Sequence, residues 1–169
     1  APSRARWRHF HLNVHTTMPL LTKDNLQQYL GQSIGTSSWV DVTQARINAF
    51  AECTEDRQWI HIDVERAKRE SPFKAPIAHG FLTLSLLPIT SYELLANLKP
   101  TKSVNYGMDK LRFMAPVAAG SRVRNHIKLL DAEQRALPYG FRLGATQYDA
   151  AAGAAHQAAC LRALALYGM

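Results

Sequence analysis

Residues 50–89 read FAECTEDRQWIHIDVERAKRESPFKAPIAHGFLTLSLLPI. The end of this stretch opens the most apolar helix candidate in the chain. From Gly80 to about residue 96 the pattern is helical, and Phe81, Leu82, Leu84, Leu86, Leu87, Ile89, Leu94 and Leu95 leave hardly any polar face. A helix that is apolar on nearly all sides must be wrapped by other parts of the chain. Pro88 has no N–H, and its ring collides with the carbonyl one turn back. It therefore kinks the helix or removes one of its hydrogen bonds.

Toward the N-terminus, residues 20–30 read as a short first helix, and Gly31 and Gly35 then punctuate the chain. Val40 and Val42 flank Asp41 as in a short strand. Thr43 is placed to cap the next helix, whose apolar face is Ile47, Phe50 and Cys53. That pattern ends at Glu55 and Asp56. Residues 57–62 are too short for a helix of their own. Asp63 can cap a short helix reaching Glu70, and residues 71–76, with two prolines, read as a loop.

The period changes in the second half. Val123, Asn125, Ile127 and Leu129 alternate with Arg122, Arg124, His126 and Lys128, which marks a half-exposed strand. Residues 104–113 and 139–148 also read as strands, separated by turn signals at 114–116 and 120–121. Residues 160–167 stay open between helix and strand, because their alanines and leucines favour helix by propensity. An antiparallel sheet curled around one long apolar helix reconciles these signals, which is an α+β architecture.

A chain of 169 residues fits one domain and buries roughly two-thirds of the surface its unfolded form exposes. Residues 18–169 are expected to form it. Residues 1–17 carry Arg4, Arg6 and Arg8, no acid and no clear period. They stand apart as an extension, a tag-derived remnant or a weak targeting segment, and lack the apolar core of a secretory signal. Residues 77–89 are too few to cross a bilayer, and the expected location is cytoplasmic. Cys53 and Cys160 lack a paired spacing and fit two reduced thiols. The net charge is +7. It suits either an anionic substrate or an ordinary solvated surface. Arg122, Arg124 and Lys128 have no interleaved aromatics, so a solvated sheet face explains them better than nucleic acid.

Asp56 and His61 are the sharpest candidates for chemistry. In a helix, five residues apart is about 140° off alignment, but in a loop the two side chains can converge. Histidine exchanges a proton near neutral pH, and a carboxylate beside it can orient it or act as a second proton group. The plainer reading makes Asp56 a helix-end surface residue and His61 a filler between Ile60 and Ile62. His79-Gly80 opens the apolar helix, where the first N–H groups lack internal partners and glycine lets a ligand approach. Such an N–H can stabilise a developing negative charge; the plainer reading is that the glycine only relieves crowding where the helix enters the core. His61-Ile62-Asp63 lacks a third ligand, so no metal is expected. No phosphate loop, dinucleotide fingerprint or nucleophile elbow is present.

These residues resemble the MaoC-like dehydratase family of the hot-dog fold. The resemblance is carried by Phe50-Ala51, Asp56, Gln58-Trp59-Ile60-His61, Asp63 and Ile77-Ala78-His79-Gly80-Phe81-Leu82, and continues through Val104-Asn105-Tyr106-Gly107, Arg112-Phe113 and Ala115-Pro116-Val117. It looks closest to the branch resembling nodulation protein N and (R)-specific enoyl-CoA hydratases. It implies that Asp56 and His61 are the acid–base pair and that Gly80 is the oxyanion donor. Substrate contacts are expected from His79, Asn105 and Tyr106, and from Lys110 and Arg112 toward the carrier phosphates. It further implies an acyl thioester of coenzyme A or acyl carrier protein as substrate, no other cofactor, a homodimer, and a final strand at 160–167. The implied reaction is reversible addition of water to a trans-2-enoyl thioester. Three departures stand out. Glu55 sits where the family often has glycine, Gln58-Trp59 replaces the Asn-Pro common in many hydratases though it resembles the nodulation-like branch, and residues 150–159 match a hairpin poorly. A hot-dog thioesterase and a non-catalytic acyl-binding homologue are the alternatives.

Overall fold

The computed structural model of the chain describes residues 20–22, 24–98, 102–134, 141–151 and 155–168. Of residues 97, 102–106, 109, 110, 134, 141–151 and 155–168 the backbone alone is described. The expected extension at 1–17 and the turn between the last two strands lie outside the described residues.

The expected first helix is a single 3-10 turn, Leu26–Tyr29. Its start is a polar turn, in which Asn25 Oδ1 accepts from the Thr22 N–H and Asn25 Nδ2 donates to the Leu20 carbonyl. Asparagine thus binds its own local backbone in competition with a longer helix. Strands β1 (Ser33–Thr36) and β2 (Val40–Val42) follow. Helix α1 (Gln44–Thr54) is capped as expected, with Thr43 accepting from the Arg46 N–H. Its buried face is Ile47 and Ala51, one turn apart. Phe50 is half-buried and Cys53 exposed, so the apolar face lies one position away from the expected one.

Residues 57–62 do hold a helix, the single turn α2 (Trp59–Ile62). Asp63 caps α3 (Val64–Glu70) by accepting from the Arg66 N–H at 3.0 Å. The apolar helix is broken into α4 (Gly80–Ser85) and α5 (Leu87–Leu94). Pro88 falls in the first turn of α5, the one place in a helix where its missing N–H costs nothing. The helix is also not wrapped on all sides. Leu82, Leu87 and Leu94 are buried, whereas Phe81, Ser85, Ile89 and Tyr92 form an exposed stripe.

Five further strands complete one antiparallel sheet: β3 (Lys102–Arg112), β4 (Ser121–Lys128), β5 (Asp131–Gln134), β6 (Phe141–Ala151) and β7 (Ala155–Gly168). The order is β1-β4-β6-β7-β3, with β2 also on β4 and β5 also on β6. Residues 160–167 are therefore strand. Pairing with β6 on one side and β3 on the other overrides their helix propensity. The alanine-rich strand ends do pair antiparallel, with Ala151 opposite Ala155 and Ala150 opposite His156.

β4 alternates as expected and feeds two apolar clusters. Val123 packs with Val42, Ile47, Ala78, Leu82, Leu87 and Val117. Ile127 and Leu129 pack with Leu26, Ile34, Leu94 and Leu98. Between them β4 presents Asn125, fully buried, whose Nδ2 donates to Thr90 Oγ1 at 3.3 Å. Thr90 Oγ1 donates in turn to the Leu87 carbonyl at 3.0 Å. This polar contact registers the broken helix on the sheet between the two clusters.

Helix α1 ends on Glu55, whose φ of 61° and ψ of 10° are left-handed. A side chain there costs about 1–2 kcal/mol, and glycine is the usual residue at such a helix end. This accounts physically for the glycine the resembled family often carries at this position. Glu55→Gly is expected to raise stability by about 0.5–1 kcal/mol after the extra unfolded-state freedom of glycine is counted. Urea unfolding would show a higher midpoint at unchanged slope. A lower midpoint would refute it.

Candidate active site

The site is organised by residues 76–78, an extended segment held from both sides. The Ala119 N–H donates to the Pro76 carbonyl at 2.9 Å, and the Ala78 N–H donates to the Val117 carbonyl at 2.7 Å. On the other side the Ile77 N–H donates to the Ile60 carbonyl of α2 at 3.1 Å. The Ile77 carbonyl then meets Nδ1 of His61 at 2.6 Å. A carbonyl only accepts, so Nδ1 carries the proton and Nε2 is left with the lone pair. Gln44 Nε2 donates to the His61 carbonyl at 2.7 Å and holds α2 against the start of α1.

His61 is 7% exposed. Burial is the largest influence on its ring and pushes its pKa below the ordinary 6.5. The Ile77 hydrogen bond and the Asp56 charge oppose that, and His79 adds to it. The imidazole is therefore neutral at neutral pH and fit to accept a proton. His61 lines a cavity of about 290 Å³ together with Ile77, Gly80, Thr83, Phe113 and Val117. Phe73 and Met114, both exposed, stand at its mouth.

Gly80, the first residue of α4, faces Phe113 closely. A Cβ built on it would lie 2.8 Å from the Phe113 ring, so a side chain here would displace the ring that lines the cavity. Its N–H belongs to the first turn and has no acceptor within the helix. His79 precedes it, buried to 2% exposure. Its Nε2 donates to the Asp56 backbone carbonyl at 2.9 Å, and its ring stacks on His61 with centroids 3.8 Å apart. Asp56 sits in the loop between α1 and α2 with its carboxylate 58% exposed and Oδ2 3.9 Å from His79 Nε2.

The structure thus brings Asp56, His61, His79 and Gly80 together. Asp56 and His79 stand beside the cavity, and His61 and Gly80 line it. Arg112 is exposed, with a guanidinium N–H turned back onto the Leu111 carbonyl at 2.8 Å. Asn105, Tyr106 and Lys110 lie on β3 with side chains outside the described residues. Glu55 is exposed and does not line the cavity.

Asp56, His61 and His79 each offer a ligand atom within 4.8 Å of the others, and these are the residues that could hold a metal ion. The two rings, however, stack at 29°. The His79 Nε2 nearest Asp56 already donates to the Asp56 carbonyl, so that atom has no lone pair to offer a metal. Sequence reading missed the Ile77 carbonyl, which leaves no side-chain trace, and Thr83. The signal for Thr83 was present, as a hydroxyl within an apolar helix run.

Comparison with known proteins now bears on this geometry. A sequence model of the MaoC like domain matches residues 25–138. The chain belongs to the MaoC-like dehydratase family. Nodulation protein N of Rhizobium meliloti is 43% identical over 116 residues, which is 68% of this chain and 72% of that protein. The 3-hydroxyacyl-thioester dehydratase Z of Mycobacterium tuberculosis is 47% identical over 103 residues, 61% of this chain and 68% of that one. Among solved structures, the (R)-hydratase from A. caviae involved in PHA biosynthesis superposes with a TM-score of 0.62 at 25% identity. The match covers 80% of this chain and 94% of that one. The fold is accordingly the hot-dog fold of this family, α+β as the sequence implied.

The lowered pKa of His61 has a consequence for stability. The unfolded chain takes up a proton at this residue near pH 6.5, while the folded chain resists until lower pH. The unfolded state therefore binds more protons in that window, and stability rises as the pH rises through it and is lost as the pH falls. The stability of the protein relative to His61→Gln is expected to be greatest above about pH 6.5 and to shrink below it. Urea titrations of both proteins across pH check this, and a pH-independent difference would contradict a buried neutral imidazole.

Proposed function

We propose that the protein is an (R)-specific enoyl-thioester hydratase, equally a 3-hydroxyacyl-thioester dehydratase. The observation that carries this reading is the fixed tautomer of His61. Nδ1 is committed to the Ile77 carbonyl at 2.6 Å, so a neutral ring lines an apolar cavity with Nε2 free. The names of relatives support the substrate class. One is a 3-hydroxyacyl-thioester dehydratase, and another, related in fold, is an (R)-hydratase.

In this reading a water is held between His61 Nε2 and the Asp56 carboxylate. One water proton passes to the Asp56–His61 pair as the oxygen bonds to C3 of a trans-2-enoyl thioester. The π electrons move through C2 to the thioester oxygen, where the Gly80 N–H meets the negative charge. The pair then returns a proton to C2 as the carbonyl re-forms. The sum is H and OH added across C2 and C3, and the reverse is dehydration. A positioned oxyanion donor contributes about 3 kcal/mol. Proton transfer by the pair contributes on the order of 10²–10⁴-fold.

Coenzyme A or acyl carrier protein would carry the acyl group, and no further cofactor enters the chemistry. Lys110 and Arg112 are the candidate contacts for the carrier phosphates, and Asn105 and Tyr106 for the substrate, whereas His79, expected among the substrate contacts, does not line the cavity. A cytoplasmic location fits such carriers, and among the described residues no helix is long and apolar enough to cross a membrane. A second copy of the chain is the proposed partner. The exposed stripe of Phe81, Ile89 and Tyr92 runs into the cavity mouth, where Phe81 meets Phe113 edge-on at 5.8 Å.

His61→Ala and Asp56→Asn are each expected to cut turnover by about 100-fold or more with the fold retained. A panel of short and medium enoyl-CoA substrates, followed by loss of enoyl absorbance, reads this out. Release of free thiol would identify a thioesterase instead. Near-native hydration by either variant would remove the assignment. Ile89→Glu is expected to shift the protein from dimer to monomer in sedimentation, and an unchanged mass would place the interface elsewhere.

A further inference from the structure

We propose that His79 is a positioning residue that sets the distance between the acid and the base. The inference rests on the hydratase reading of Asp56 and His61. It goes beyond that reading by assigning the geometry of the pair to a third side chain.

Three contacts carry it. First, His79 Nε2 donates to the backbone carbonyl of Asp56 at 2.9 Å. The Asp56 side chain is 58% exposed and makes no hydrogen bond among the described residues, so its place is set by its backbone. Second, the His79 ring stacks on His61 at 3.8 Å. His61 is fixed at one edge by the Ile77 carbonyl and is backed on its face by His79. Third, Phe50 of α1 packs on the His79 ring with centroids 5.0 Å apart. The ring is thus held between α1 and the base while its edge holds the acid's loop. His79 is in contact with both the Asp56 backbone and the His61 ring.

The tautomer follows from these contacts. With Nε2–H given to a carbonyl, Nδ1 carries the lone pair, and it is buried without a partner. The ring is thus hydrogen-bonded at one edge only, the edge toward the Asp56 loop. The residue before Asp56 adds to the need for that bond. Glu55 holds a left-handed backbone that resists its own side chain, and the loop is anchored beyond it by the His79 bond. Rigid support of this kind matters, because displacement of a reacting group by about 1 Å can cost on the order of 100-fold.

Three variants test the idea on the best enoyl-CoA substrate of the wild-type protein. His79→Phe keeps a ring against His61 and removes the donor to Asp56. It is expected to lower kcat by about 30–100-fold with KM changed less than about threefold. His79→Gln can return an N–H to the Asp56 carbonyl and is expected to recover at least about tenfold of that loss. Phe50→Leu loosens the far side of the ring and is expected to lower kcat by about 3–10-fold at unchanged KM. Circular dichroism and thermal melts establish the folded fraction of each. Should His79→Phe not fold, the Gln and Leu variants decide. A kcat for His79→Gln more than about 30-fold below wild type would overturn the inference, as would a wild-type kcat in Phe50→Leu. A rise in KM with kcat intact would make His79 a substrate contact instead and equally overturn it. The underlying reading fails separately. If His61→Ala retains turnover, the hydratase assignment falls. If that variant is inactive while His79→Phe turns over normally, only the present inference falls.

Discussion

The three residues 76–78 hold the site together because their backbone is used on both edges. One edge pairs with residues 117–119, the other accepts and donates hydrogen bonds to α2. A buried backbone group left unpaired is costly, so this segment can sit in the interior only with both neighbours in place. The same requirement makes it a ruler. It sets α2, and with it His61, at fixed depth, and two residues later it starts α4 at Gly80. The proposed base, His61, and the proposed oxyanion donor, Gly80, are therefore positioned by one short strand-like segment, each a step away from it.

Burial does the chemical tuning. Among the described residues nothing acidic is hydrogen-bonded to the His61 ring to hold a proton on it. Its Nδ1 partner is a neutral carbonyl, and loss of water is the strongest influence on its charge. Removing water favours the uncharged imidazole, which is the form that can accept a proton. Asp56 is treated in the opposite way. It lies on an exposed loop and interacts with the ring pair through charge and proximity. Two proton groups with different solvent access are a common basis for dividing acid and base roles.

Much of this was legible in the sequence wherever local physics sufficed. Thr43 and Asp63 cap the helices that follow them, since a capping side chain needs only the next turn. The alternation in β4 is read directly as buried and exposed faces. Pro88 breaks the helix for reasons contained in its own ring. Features that depend on distant partners were not legible. β7 is rich in alanine and leucine, and only its two neighbouring strands decide its state. Thus residues 160–167 needed family resemblance to be placed. The stacking of His61 on His79 joins residues eighteen apart in sequence across a loop, and the Ile77 contribution comes from a carbonyl that every residue possesses.

The apolar helix shows where composition and packing part company. Its sequence required cover on nearly every side, and its own sheet supplies that cover on one. Leu82, Leu87 and Leu94 are enclosed, while Phe81, Ile89 and Tyr92 remain in water. Leaving such side chains exposed forgoes about 1.5–3 kcal/mol for each large one that burial would gain. Scattered exposed apolar residues need no account, but a stripe that continues into the mouth of a cavity is a surface suited to association. The proposed second copy answers both needs at once. It would return the stripe to an apolar setting and close the open side of the cavity next to Phe113. Water would then be restricted to the one molecule the acid–base pair requires. Completion of the core and exclusion of bulk solvent from the reaction would be the same event.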